Sequence, residues 1–382
     1  MKLLAVDEYI RFECIGGSCP ISCCGGNWGI PIDDESYENY LQTEGEFGDI
    51  LRNGITKVRG TYAFKLDEKT KDCIFLNRDK LCSIYRNLGP DALCETCRTY
   101  PRAFYHVGDI EFCYLVNSCP EVNRMIIQRI DAFDTLYDDS EEEKTIDFDK
   151  TKFGNAINAL LTGLNLLENR LLSIGDRLIL LLLFTKRFQE AVRAGNDPVD
   201  IITLFSEPEL YVRLLDSDLV KQKNDITAKI HVFMIVYRTL MMDSYDHPMW
   251  KQCTELADSI NNREIVDIDK LRNTFTEMNR NDIQLEQEQL ICYRFFSVFM
   301  QGYKNEDFYD HVVYEILILC TLQTYIALTE TVRSNGCSQE ERILFYSICG
   351  RIDHTKRQKD LLISELRNEG FYELDKLIGL VR

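Results

Sequence analysis

Cysteine is concentrated near the start of this chain. Ten of its fifteen cysteines precede residue 120, at Cys14, Cys19, Cys23, Cys24, Cys73, Cys82, Cys94, Cys97, Cys113 and Cys119. Asp7 and Glu8 interrupt the N-terminus before an apolar export signal can form, so we expect a cytoplasmic protein. Thiols stay reduced in the cytoplasm. The concentration of cysteines therefore predicts metal binding rather than a set of disulfides.

Eight of these cysteines form three groups whose spacing suits metal binding. The candidate ligands are Cys14, Cys19, Cys23, Cys24, Cys73, Cys82, Cys94 and Cys97. Glycines around the first group let the backbone turn tightly, and free N–H groups there can bond to sulfur. Adjacent residues of an extended chain point apart. Cys23 and Cys24 can therefore serve different sites, or one of them can lie beside the metal without binding it.

The residue types leave the identity of the metal open. Four thiolates suit both tetrahedral zinc and an iron–sulfur cluster. His106 is the only histidine near the motifs, and we interpret it as a surface or packing residue, which favours an all-sulfur site. Cys119 precedes an expected helix start at Pro120, where it fits a ligand and a packing residue equally well. The five cysteines after residue 250 are interpreted as buried apolar side chains.

Hydrophobic patterning predicts a mainly α protein with two domains. Residues 1–130 form the predicted irregular, cysteine-rich metal-binding module, with strand signals near residues 105–114. Residues 138–150 are acidic and are interpreted as a solvated linker. Residues 151–382 form the predicted α-helical domain, because apolar residues recur every three or four positions. The expected helices include residues 156–167, 178–194, 287–303, 312–332 and 361–366. Two capping boxes are expected, Ser118 with Glu121 and Ser338 with Glu341.

Charge and hydropathy exclude two classes of partner. The formal net charge of the 382 residues is −18. Nucleic-acid binding needs cations that neutralise phosphates, so we expect no nucleic-acid partner. The longest purely apolar run, residues 178–184, is far too short to cross a bilayer. We therefore expect no membrane span.

A further property of the motifs is their order along the chain. The residues that carry it are Tyr9, Phe12, Cys14, Ile15, Gly16, Cys19, Cys23, Cys24, Trp28, Ile30, Ile32 and Asp33, followed by residues 73–76, 81–85, 93–102 and 118–121. This order resembles the flagellin lysine N-methylase family, within a broader group of zinc- or iron-chelating proteins. The resemblance covers residues 9–125, whereas the helical remainder fits only in length and general character.

The resemblance implies an enzyme that methylates lysine ε-amino groups of flagellin, with S-adenosylmethionine as donor and a 4Fe–4S cluster. The chain has no Rossmann-type glycine motif. Gly26 also stands where the third cysteine of the radical C-x-x-x-C-x-x-C pattern would follow Cys23. The donor would therefore bind in an uncommon mode. One hypothesis has an open iron coordinating its amino-carboxylate group, Arg98 or Arg102 pairing with its carboxylate, and Trp28 forming an aromatic wall.

Methyl transfer to lysine also requires a proton acceptor. The amine must lose a proton before its nitrogen attacks a methyl group, and a carboxylate or a tyrosine can accept that proton. Tyr100 and Glu111 are the leading candidates, followed by Glu95 and Tyr105. Each of the four also fits an ordinary structural or surface role.

Two other functions fit the same residues. The first is a non-catalytic structural or interaction protein, in which zinc or iron staples the N-terminal module to a helical scaffold. The second is a redox protein that uses Cys94 and Cys97, since the C-x-x-C spacing also occurs in thiol oxidoreductases.

Overall fold

The computed structural model describes residues 2–382 except 26–27, 59, 140–147, 218–219, 222–223, 243–247, 262–266, 279–280 and 334–335. Helices dominate it, which confirms the predicted fold class. In chain order, α1 to α18 are Asp7–Arg11, Asp34–Gln42, Gly45–Asn53, Ser83–Leu88, Glu95–Thr99, Pro120–Ile127, Lys150–Leu167, Ile174–Arg193, Val199–Leu204, Pro208–Leu215, Ile226–Leu240, Pro248–Asn261, Ile268–Glu277, Asn281–Phe299, Phe308–Val332, Gln339–Arg351, Lys356–Asn368 and Leu374–Val381.

Short strands build the N-terminal part of the protein. In chain order, β1 to β6 are Lys2–Val6, Ile55–Val58, Thr61–Phe64, Arg102–Val107, Ile110–Leu115 and Thr135–Asp138. Four of them form a sheet in the order β4-β5-β1-β6, while β2 and β3 form a separate hairpin. β4 and β5 are antiparallel neighbours, which confirms the strand signals near residues 105–114. β1 joins β5 in parallel, with Leu4 opposite Phe112.

The helices expected from apolar periodicity are present. The predicted segments lie within α7, α8, α14, α15 and α17, and the segment that ends at Tyr303 finishes in a short 3-10 turn. Asp149 and Ser173 cap α7 and α8 by accepting backbone N–H groups in the first turn. Ser338 and Glu341 form the predicted capping box of α16. The central part of the acidic linker, residues 140–147, lies outside the described residues.

α15 is the central helix of the α-helical domain. It packs against α8, α11, α13 and α14. Its 25 residues include a window that is long and apolar enough to cross a membrane, but all of that window is buried inside the protein. The core helix of a large domain has this composition because other helices cover it on every side. Within the described structure, α15 is therefore weak evidence for a membrane span.

Two hydrophobic cores of unequal size hold the chain together. The small core consists of Ile30, Ile32, Tyr40, Leu51, Phe64, Cys73, Phe75, Ile84 and Cys94. The large core fills the helical domain and includes the five cysteines after residue 250, as expected for buried apolar side chains. Phe12, Phe112 and Val122 also belong to the large core. The division between the cores therefore does not coincide with the predicted domain boundary between residues 130 and 151.

A buried polar network joins the sheet to the helical core. Arg294 on α14 donates to both carboxylate oxygens of Glu315 on α15, at 2.7 and 2.6 Å. It also donates to Asp353 at 2.9 Å and to Oδ1 of Asn117 at 3.0 Å. Asn117 lies in the loop between β5 and α6. The network therefore anchors the loop that leads into Cys119.

Gly350 on α16 packs against the same loop. A Cβ atom at this position would stand 2.7 Å from backbone atoms of Asn117 and Ser118. We expect Gly350→Ala to lower the free energy of unfolding by about 1–3 kcal/mol, because α16 would have to move away from the loop. Thermal unfolding measures the effect. Gly154→Ala is the control, since a Cβ there meets nothing within 4 Å; an equal loss in both variants would contradict the proposed contact.

Candidate functional site

Nine cysteines of the N-terminal region lie in two groups of neighbouring thiols. The four-thiol group consists of Cys14, Cys19, Cys23 and Cys119, and the five-thiol group consists of Cys24, Cys73, Cys82, Cys94 and Cys97. Within each group the thiols lie close enough to interact electrostatically. The groups meet at Cys23 and Cys24, whose side chains hydrogen-bond to each other. The structure therefore keeps Cys23 and Cys24 in contact where the two groups meet and places Cys119 with three of the predicted ligands.

The four-thiol group is built from a tight glycine turn and a helix start. The turn begins at Gly16, whose φ is 56° and whose N–H lies 3.4 Å from the sulfur of Cys14. The N–H of Cys19 returns to the Gly16 carbonyl at 3.0 Å. Cys14 and Cys23 are exposed, whereas Cys119 is buried at the start of α6. One side of this group is therefore open to solvent.

The five-thiol group lies inside the small core. Cys73 and Cys94 are buried, and Cys24, Cys82 and Cys97 pack against that core. The N–H of Cys73 donates to the Cys24 carbonyl at 2.7 Å, which brings two distant segments together. Asp33 accepts the N–H of Glu95 at 2.7 Å and thereby holds the turn that carries Cys94. Desolvation opposes ionisation of Asp33, but the N–H groups of Glu95 and Ser36 outweigh it and lower its pKa.

Burial is the largest cause of a raised pKa for four of these nine thiols, Cys19, Cys73, Cys82 and Cys119. Desolvation raises the pKa of Cys73 and of Cys119 to about 12 each, so both are neutral near pH 7. A metal ion would displace their protons, since thiolates are the form that binds metals. In the described part of the chain, no three Cys, His, Asp or Glu side chains already stand at metal-ligating positions. Metal binding would therefore draw the thiols of a group closer together.

Three side chains, Trp28, Tyr100 and His354, form an aromatic wall beside the four-thiol group. The indole N–H of Trp28 donates to the carbonyl of Cys23 at 2.6 Å. The ring of Trp28 is stacked on His354, with 5.6 Å between ring centroids, and lies 5.8 Å from the ring of Tyr100. Ser118 links Tyr100 to His354, because its Oγ is 3.1 Å from the Tyr100 hydroxyl and 2.6 Å from Nε2 of His354.

His354 is the basic group of this wall. Desolvation by its neighbours, followed by repulsion from the Arg351 cation, lowers the pKa of its imidazole. Burial, with the nearby Cys119 thiol, raises the pKa of Tyr100 far above its usual range. At neutral pH, the imidazole of His354 is therefore uncharged and has one unprotonated ring nitrogen, whereas Tyr100 keeps its proton. The side chain of His354 is partly exposed, so a substrate can reach it.

Ser118 does not cap α6 as predicted. α6 begins at Pro120 as predicted, but its N-cap residue is Cys119 and no side chain caps it. The hydroxyl of Ser118 bonds to Tyr100 and His354 instead. The expected capping box with Glu121 is therefore wrong, because the serine is used to join two segments of the site.

The two arginines predicted to bind the methyl donor lie in different surroundings. The guanidinium of Arg102 lies 5.6 Å from the ring centroids of both Tyr9 and Phe12, and it donates to the Phe12 carbonyl at 3.1 Å. It thereby holds the segment that enters the four-thiol group at Cys14. Arg98 lies on α5 next to Cys97 and is exposed. Donor binding by either arginine stays a prediction.

Of the predicted proton acceptors, Tyr100 is the one that belongs to the aromatic wall. Glu111 on β5 bonds to His106 at 2.7 Å and to the thiol of Cys113 at 3.5 Å. Tyr105 donates to the carbonyl of Phe296 at 3.4 Å, within the contact between sheet and helices. Glu95 is exposed at the start of α5. His106 is also exposed, which confirms its interpretation as a surface residue.

Sequence reasoning missed His354. It lies 236 positions after Ser118, in a short 3-10 turn that follows α16. No motif surrounds it, and a lone histidine in a helical domain carries no metal or catalytic spacing. Only the packing of α16 on the loop before α6 brings it to the cysteines.

A polar cavity of about 190 Å³ lies elsewhere in the helical domain. Its described lining includes Lys229, Gln287, Gln323 and Arg382, and no residue of either thiol group. The ammonium of Lys229 is already bonded to the carbonyl of Leu380 and lies 4.7 Å from the ring centroid of Phe275. This cavity is therefore separate from the candidate site.

Comparison with known proteins identifies the family. The family model of the FliB lysine N-methylase C-terminal domain matches residues 162–380, the helical part. The chain is 30% identical over 140 residues to the flagellar biosynthetic protein FliU of Salmonella muenchen. The matched residues make up 35% of this chain and 82% of that protein. This chain is 31% identical over 140 residues to a lysine-N-methylase of Salmonella typhimurium, which is 35% of each chain. The match to a lysine-N-methylase of Salmonella choleraesuis is 30% over 140 residues, again 35% of each chain. No solved structure matches. The chain belongs to the FliB lysine N-methylase family.

Proposed function

We propose that this protein is a cytoplasmic lysine N-methyltransferase that acts on flagellin, with S-adenosylmethionine as methyl donor and a cysteine-bound 4Fe–4S cluster. The observation that carries the proposal is an open group of four thiols beside Trp28, Tyr100 and His354, in a chain of this family. The names of the relatives support lysine methylation and a flagellar role. The donor, the cluster and the compartment are parts of the proposal.

The four-thiol group has the chemistry that a 4Fe–4S cluster needs. Four cysteine sulfurs are the usual ligand set, and Cys14, Cys19, Cys23 and Cys119 would supply them. The N–H of Gly16 already points at the sulfur of Cys14, and such N–H···S bonds tune cluster potentials. When three of these four thiols bind the cluster, the remaining iron has no cysteine ligand and would supply a site for the amino-carboxylate group of the donor.

The surrounding side chains can receive a lysine. The face of Trp28 can attract the ammonium of a lysine side chain through a cation–π interaction. His354 can take up the proton that the amine loses, because its ring is neutral and within reach of solvent. Ser118 holds the imidazole, and Tyr100 holds Ser118. The formal charge of −18 favours the approach of a lysine-bearing surface.

Anaerobic methyl transfer tests the proposal. Full-length protein purified without oxygen is incubated with S-adenosylmethionine and unmethylated flagellin, and the intact mass of flagellin is measured. The expected result is a series of increments of one methylene unit, absent when the donor or the protein is omitted. Iron and sulfide are measured in the same sample. Bound cluster without any increment would overturn the assigned activity, and increments without iron would overturn the assigned cluster.

A further inference from the structure

We propose that the five-thiol group is a second metal centre, separate from the four-thiol group, that binds zinc and stabilises residues 24–97 without taking part in methyl transfer. The proposal goes beyond the proposed function, because it concerns how the N-terminal region folds. It relies on the thiols of Cys24, Cys73, Cys82, Cys94 and Cys97 and on the small core around them.

The small core is too sparse to hold this region by itself. It contains nine buried residues, and two of the nine are Cys73 and Cys94. The elements around it are short: α2 and α3 have nine residues each, and β2 and β3 have four each. Units of this size bury little apolar surface and usually need disulfides or a metal. All cysteines of this region are free, so a metal is the available staple.

The five thiols come from separate segments that one ion can tie together. Cys24 ends the first motif, Cys73 and Cys82 lie at isolated β-bridges with Leu66 and Leu76, and Cys94 begins the turn before α5. A single ion bound by these segments cross-links residues that are far apart in sequence. Its binding free energy then counts as folding free energy, since the unfolded chain has no such site.

Enclosure distinguishes this centre from the four-thiol group. Cys94 is 0% exposed and Cys73 is 4% exposed, whereas Cys14 and Cys23 are exposed. Structural zinc sites are closed and tetrahedral, with four sulfur or nitrogen ligands. The thiol of Cys94 donates to the carbonyl of Pro31 at 3.7 Å, between the core residues Ile30 and Ile32. Zinc would bind Cys24 and three of the other four thiols as thiolates and release their protons.

The neighbouring pair Cys23 and Cys24 provides the sharpest test. We compare anaerobically purified wild type, Cys23→Ser, Cys24→Ser and the control Cys113→Ser, and we measure zinc, iron and sulfide in each. Cys113 is buried in the sheet and belongs to neither group. Cys24→Ser should lose zinc and keep iron, Cys23→Ser should lose iron and keep zinc, and Cys113→Ser should keep both. Joint loss of both metals from either serine variant, or wild type without zinc, would overturn the proposal.

If Cys24→Ser fails to fold, removal of zinc from the wild type with a chelator tests the proposal instead. A zinc chelator should make residues 24–97 sensitive to limited proteolysis while the helical domain stays resistant and iron stays bound. Unchanged resistance after zinc removal would overturn the structural role. A protein that binds zinc as expected but transfers no methyl group would contradict the proposed function alone.

Discussion

We expect Arg294→Met to lower the free energy of unfolding by more than Gly350→Ala does. Arg294 is 6% exposed, and its guanidinium pairs with the buried Glu315 and with Asp353, whose side chain is 27% exposed. Methionine fills a similar volume but leaves the buried Glu315 without its cation, whereas Asp353 keeps Lys359 at 2.8 Å. Removing one partner of a buried ion pair costs about 3–5 kcal/mol. The melting temperature should therefore fall by roughly 10 °C.

An exposed ion pair is the matched control for this substitution. Arg238 bonds to Glu365 on the surface, with side chains that are 51% and 39% exposed. Such pairs contribute about 0–1 kcal/mol, so Arg238→Met should shift the melting temperature only slightly. Calorimetry on both variants measures the two shifts in melting temperature. Equal shifts would mean that the interior network of Arg294 contributes no more than a surface contact.

His354→Gln is expected to cause a large loss of activity without any loss of metal. Glutamine can still bond to Ser118, but it cannot take up a proton from lysine. General base catalysis typically contributes 100-fold to 10,000-fold, so methyl transfer should fall by about 100-fold or more. The rate of methyl transfer to flagellin measures the effect, and the iron and zinc contents of the variant should equal those of the wild type.

His106→Gln controls for the loss of a histidine as such. His106 is exposed on the sheet, where it is paired with Glu111 at 2.7 Å. Its replacement should leave the rate unchanged. If His354→Gln lowers the metal content in parallel with the rate, the role of His354 is structural and the assignment as proton acceptor is wrong.

Local patterns explain why the helices were predictable. Apolar residues at three- and four-residue intervals specify α7, α8 and α15 without information from other segments. The hairpin of β4 and β5 is local in the same sense. The parallel pairing of β1 with β5 joins residues more than 100 positions apart, and no periodicity encodes such a choice of neighbour.

The sequence suggested which cysteines to consider at the candidate site but not how they are arranged. Their spacing and the expected reducing compartment indicate eight candidate ligands, whose role in metal binding stays a prediction. The division between Cys23 and Cys24 depends on how residues 73–97 fold back on the first motif. The inclusion of Cys119 and His354 depends on the packing of α6 and α16. These are tertiary contacts, so single residues carry no signal for them.

The position of the added methyl group is the most direct readout of the proposed activity. Flagellin treated anaerobically with wild type, Cys23→Ser and Cys113→Ser is digested and analysed by tandem mass spectrometry. Assignment of lysine methylation to the four-thiol group predicts methyl groups on lysine ε-nitrogens with wild type and Cys113→Ser, and none with Cys23→Ser. Methylation that is equally strong with Cys23→Ser, or that appears on residues other than lysine, would contradict it.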